Sequence, residues 1–225
     1  MKVVGSVRAG RVLSAVGLVL AMGVGGVACG GSDEKTGEDT FVGAEEVCDG
    51  LFAGPLASKV RSVTGDAEFF ATGAKGLDNV VEALKRGHAS GRSWATGAEL
   101  CPLSPKGAAA GDSGGIKFSM YAPRDVEDPR TSADTESYDM GEKAESRPAG
   151  ASLYFECVSP QVKGSDERPL RIFGSFGRGK SDAADTPASR AANLEILHAA
   201  SLSVVKKLDC ENDGGLPKTP VLTPK

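Results

Sequence analysis

The chain is short of most groups that would announce a chemistry. It has two histidines in 225 residues, and its five cysteines include no Cys-x-x-Cys pair, so the close ligand pairs of a zinc centre are missing. Asp112, Asp125, Asp128 and Asp134 lack the alternate-residue spacing of an EF-hand loop. Aromatics make up 5% of the residues, which leaves little stacking surface for sugars or bases. There is no excess of positive charge: 30 acidic against 26 basic side chains give a formal −4, which argues against a nucleic-acid partner. No apolar run reaches the roughly 20 residues of a membrane-spanning helix. What remains, with 40% hydrophobic and 25% charged residues, is the composition of one globular domain.

The N-terminal region carries an address. Lys2, Arg8 and Arg11 precede an apolar stretch over residues 12–28 that contains no acid and is interrupted by glycines. That layout is an export signal. It ends in Gly26, Val27, Ala28 and Cys29, which resembles the lipobox of bacterial lipoproteins, with Gly26 standing where an aliphatic residue is usual. The resemblance implies cleavage before Cys29 and a diacylglycerol thioether on its sulfur. Two acyl chains on one residue give durable anchoring where one holds only marginally. Cleavage takes three cations from a chain of formal charge −4 and leaves −7, an acidic body that does not adhere by itself to anionic lipid. Residues 29–43 are then the lipidated cysteine and a disordered polar tether, with a reach of about 20 Å.

Setting Cys29 aside leaves Cys48, Cys101, Cys157 and Cys210, an even set that in an exported chain suggests two disulfides with three possible connectivities. Sequential pairing is expected, because it closes two loops of equal length. The folded part is expected over 44–213. Pro55 stands at a helix start, Leu56, Val60 and Val63 follow at helical spacing, and Gly65 ends the run. Leu77, Val80, Val81 and Leu84 predict a second helix with Gly87 as its stop. Alternation then takes over in IKFSMYA, LYFECVS and the stretch through Leu170, Ile172, Gly174 and Phe176, predicting three strands. Between the first two, residues 124–150 carry eight acids against four bases and read as a solvated excursion with a short extended piece at 138–140. Thr186 and Pro187 open a final helix with Leu194, Leu197, Leu202, Val205 and Leu208 as its apolar face. Cys210, just beyond it, is placed to staple the helix to the sheet through Cys157. Residues 214–225 contain three prolines and no periodicity, which predicts a disordered tail.

Three motifs invite chemistry. Residues 111–115 spell GDSGG, the string around the nucleophile of trypsin-like proteases, but Ser113 needs a base, and His88 is the sole upstream histidine. A turn before a strand accounts for the string. Gly174, Gly177 and Gly179 with Lys180 lack the phosphate-loop spacing and read as a basic turn. His198 is expected at the edge of the core, His88 exposed near a helix end, and Trp94 as an anchor beneath a loop.

The stretches VCDGLFAGPLASKVRSVTG, FSMYAP, SLYFECVS and ANLEILHAASLSVVKKLDC resemble surface lipoproteins of high-GC Gram-positive bacteria of the actinobacterial type. The resemblance implies a position on the outer face of the plasma membrane and supplies no catalytic residues, ligand or cofactor. The fold expected is a single α+β domain with a small, mostly antiparallel sheet packed on helices. The function expected is a cell-envelope binding or interaction module, anchored in the membrane through Cys29, with an envelope protein or small ligand as partner. The alternatives are an envelope hydrolase using carboxylates or Ser113, and a regulatory partner or sensor of another envelope protein.

Overall fold

The computed structural model describes residues 40–127 and 133–225. The export signal, the lipidation site Cys29 and the tether up to residue 39 lie outside the described residues. Phe41–Gly43, assigned to the tether from sequence, forms strand β1 and pairs antiparallel with β2 (Glu68–Phe70). The Phe41 and Phe70 rings meet at 4.7 Å. Helix α1 (Pro55–Thr64) lies between these strands, with proline in its first turn and Gly65 in the left-handed conformation at its end.

Helix α2 (Gly76–Ala89) runs past Gly87, the residue expected to stop it. A Cβ on Gly87 would sit 2.7 Å from Met120 Sδ and 2.8 Å from Ala95 Cβ, so the glycine permits close helix-to-sheet approach instead of ending the helix. The chain then builds β3 (Ala95–Leu103), β4 (Gly114–Met120), a single helical turn α3 (Arg124–Glu127), β5 (Glu136–Tyr138), β6 (Lys143–Arg147), β7 (Gly150–Cys157) and β8 (Leu170–Gly177). The six strands β3 to β8 form one antiparallel sheet in the order β3-β4-β8-β7-β6-β5. This is an α+β single domain, as expected.

The expected strands are β4, β7 and β8. Ile116, Phe118, Met120, Leu153, Phe155, Leu170 and Ile172 are buried on their inner side. The expected excursion over 124–150 is instead partly sheet. Ala144 and Ser146 face inward in β6, and the Ser146 hydroxyl donates to the Arg190 carbonyl at 2.8 Å. These inward residues are small because a helix lies close, which is why the alternation does not read as hydrophobic.

That helix is α4 (Pro187–Leu208). Thr186 Oγ1 accepts from the Ser189 amide while Ser189 Oγ accepts from the Thr186 amide, a reciprocal capping box, and Pro187 follows. Leu194, Ile196, Leu197, Ala200, Val204, Val205 and Leu208 are all buried, so the helix is covered on more than one stripe. The sheet lies on one side and α1 and α2 on others. Beyond α4 the tail expected to be disordered is packed. Leu216 is buried, Tyr138 bridges to Pro224, and the Lys225 amide donates to the Ser137 carbonyl at 2.9 Å. Proline tolerates this position because a sheet edge does not require every amide to pair.

The cysteines pair sequentially, Cys48 with Cys101 and Cys157 with Cys210, at Cα separations of 5.4 and 5.2 Å. The first ties the segment before α1 to β3; the second ties the end of β7 to the residue beyond α4. Each closes a loop with a sequence separation of 53 residues, for which chain entropy predicts roughly 4 kcal/mol of stabilisation. Non-reducing peptide mapping should recover these two pairs and no others. Cys157→Ala combined with Cys210→Ala should lower unfolding stability by about that amount in denaturant titration; an unchanged midpoint would contradict the role given to this bridge.

Candidate functional site

Because α2 and α4 cover the inner face of the sheet, the side chains of alternate residues form a second face that neither of these helices covers. The strand register sets that face out in rows. One row reads Glu99, Lys117, Ser175, Ser152, Glu145 and Ser137, polar on all six strands. A neighbouring row reads Ser119, Phe173, Tyr154 and Lys143. On the opposite flank Gly115, Gly177 and Gly150 align.

At the aromatic end Tyr154 meets Phe173 at 4.7 Å and Tyr121, edge-on, at 5.2 Å. Lys143 Nζ lies 5.9 Å from the Tyr154 ring centre and pairs with Glu145 at 3.0 Å. Arg171 donates to Glu156 at 3.1 Å. Burial raises the Tyr121 phenol well above the ordinary tyrosine range, with Glu156 and Glu142 adding to the effect. Tyr154 is raised by burial and by Glu145. Both phenols therefore stay protonated at neutral pH.

At the glycine end lies an open trough of about 680 Å³. Its floor includes Gly115 and Gly177, and its walls include Glu99, Ser113, Lys117, Arg147 and Ser175. Lys117 Nζ approaches Glu99 at 3.7 Å. Among the described residues no acid pairs with Arg147, and the hydroxyls of Ser113 and Ser175 have no hydrogen-bond partner.

Ser113 is thus on the trough wall, in the loop leading to β4, and neither histidine lines that trough. His88 is not exposed as expected but 3% accessible. Its Nε2 is 2.8 Å from the Arg168 carbonyl, while Arg168 Nη2 donates to the His88 carbonyl at 2.7 Å. His198 is in the core, with Nε2 2.8 Å from the Pro217 carbonyl. Trp94 is likewise a correction: it is 52% exposed, beside Arg86 and Arg92. No group of three or more potential metal ligands occurs among the described residues. Arg147 and Gly177 were not legible as site residues, because their neighbours come from other strands. No family model, curated protein or solved structure matches the chain.

Burial lowers the His198 pKa below its ordinary value, only partly offset by the Pro217 carbonyl and Glu195. The unfolded chain therefore binds this proton more readily than the folded one. Stability should fall as pH drops through about 6.5, the unfolded value, and continue to fall until the folded group titrates. Thermal melts between pH 5 and 7.5 should show this slope, and His198→Gln should flatten it; an identical slope in the variant would place the proton uptake elsewhere.

Proposed function

We propose that the chain is an exported lipoprotein, held on the outer face of the plasma membrane by diacylglycerol on Cys29, whose domain is a binding module for an envelope component. The basic start, the acid-free apolar run and the cysteine at its end support the anchor. Two disulfides support an oxidising compartment. The resemblance to actinobacterial surface lipoproteins points the same way.

The observation that carries the binding reading is the division of the sheet. Its inner face is packed on helices, while its outer face offers an aromatic cluster, a polar row and a side-chain-poor trough on a disulfide-braced frame. Rigid backbone beneath exposed polar groups suits recognition, because little ordering accompanies binding. A hydrolase acting through Ser113 would need a base at that serine, and both histidines hold carbonyls elsewhere.

One observation favours a second reading, as partner of another envelope protein. Trp94 is 52% exposed and lines one surface pocket with Arg86 and Arg92, and tryptophan and arginine dominate interface energetics.

In a high-GC Gram-positive host the wild-type chain should fractionate with membranes and show, by intact mass without reductant, loss of the first 28 residues, a lipid adduct on Cys29 and four oxidised cysteines. Cys29→Ser should abolish the adduct and membrane retention. A cytosolic product with an uncut leader and free thiols would overturn the reading.

A further inference from the structure

We propose that the glycine-floored trough on the outer sheet face binds the anionic group of a small ligand, a carboxylate or phosphate, with Arg147 as the charged contact. The proposal rests on the reading of the domain as a binding module and names its site and ligand chemistry.

The glycines give the first argument. A Cβ on Gly115 would lie 2.8 Å from the Cys101 carbonyl oxygen, and one on Gly150 would lie 1.9 Å from that of Phe176, so backbone packing requires glycine at both positions. Gly177, in register between them, is different. A Cβ there meets nothing within 4 Å, and its φ is not in the left-handed region. Gly177 closes β8, and neither packing nor backbone conformation demands glycine there. What a side chain at Gly177 would occupy is the trough.

Charge gives the second. Of the three charged side chains on the wall, Lys117 is offset by Glu99, leaving Arg147 with no acidic partner among the described residues. The site is locally positive on a protein of formal charge −4. A guanidinium presents a planar fork matched to two anionic oxygens, and the Ser113 and Ser175 hydroxyls line the same trough as further donors. Because the Asn193 amide donates to the Arg147 carbonyl at 3.0 Å from the other face, the backbone carrying the fork is held in place.

The test is amide NMR on the full chain in non-ionic detergent, titrated separately with inorganic phosphate and sodium acetate against sodium chloride at matched ionic strength. Saturable shifts at Ser113, Gly115, Ser175 and Gly177 with phosphate, acetate or both support the proposal, and the stronger arm identifies the anion. Arg147→Gln should weaken binding at least about tenfold. Gly177→Val should abolish it while retaining the wild-type melting temperature; if that variant does not fold, Arg147→Gln decides alone. Shifts that rise linearly in all salts, or saturable binding undiminished in Arg147→Gln or in folded Gly177→Val, overturn the proposal. Because membrane retention and the Cys29 adduct are read without any anion, failure in the titration leaves the anchoring result standing, and loss of anchoring leaves the trough result standing.

Discussion

The structure depends on the burial of α4. A 22-residue helix with leucine, isoleucine, valine, alanine, serine and histidine inaccessible around much of its circumference has no stable place on a surface. At roughly 1.5–3 kcal/mol for each large apolar side chain withdrawn from water, this helix is a large local source of driving force. It needs the sheet on one side and helices on the others. Its ends are fixed by different means: at Thr186 by reciprocal capping, and beyond Leu208 by the Cys157–Cys210 bridge to β7. The inner face of the sheet is consumed in covering α4 and α2. The outer face is thereby left uncovered by α2 and α4.

What could be read from sequence was whatever the chain encodes locally and with large side chains. Pro55 and Gly65 frame α1 through their own backbone preferences, Thr186 and Pro187 open α4, and Ile116, Phe118 and Met120 alternate visibly in β4. The failures have a common cause in non-local packing. β6 hides its inward residues as Ala144 and Ser146, since α4 approaches too closely for anything larger. Gly87 resembles a helix stop until Met120 and Ala95 are brought against it. The last residues look disordered because their partners, Ser137, Tyr138 and His198, lie far away in sequence. His88 and Trp94 exchanged their expected exposures for the same reason: Arg168 closes over the one, while the other stays half exposed.

The site follows this pattern more strongly. GDSGG draws attention as a linear string, yet its serine contributes to the outer face as one hydroxyl on a trough wall, with both histidines engaged at carbonyls in the core. The trough itself is a product of register. Gly115, Gly177 and Gly150 are scattered in sequence and become adjacent only when β4, β8 and β7 pair as they do. Isolated glycines carry no message; Gly115 and Gly177, paired across β4 and β8, both line the trough.

The two faces are coupled through the backbone they share. Arg190, in the second turn of α4, donates to both Asp185 carboxylate oxygens at 2.8 and 2.7 Å and approaches Glu136 at 3.3 Å, drawing β5 to the helix. Those bonds hold the Asp185 carboxyl below the usual carboxylate range. One residue along β6 from the bond between Ser146 and the Arg190 carbonyl, the Arg147 carbonyl accepts from Asn193. Since successive strand residues point to opposite faces, the inner-face hydrogen bonds fix the position from which the Arg147 side chain leaves on the outer face. A long side chain otherwise loses appreciable rotamer entropy when it engages a ligand, and a fixed stem cannot remove that cost but does prevent the backbone from adding to it. The helix that consumes the inner face thus helps to organise the outer one, and a substitution at Asn193 or Ser146 acts on the trough without touching it.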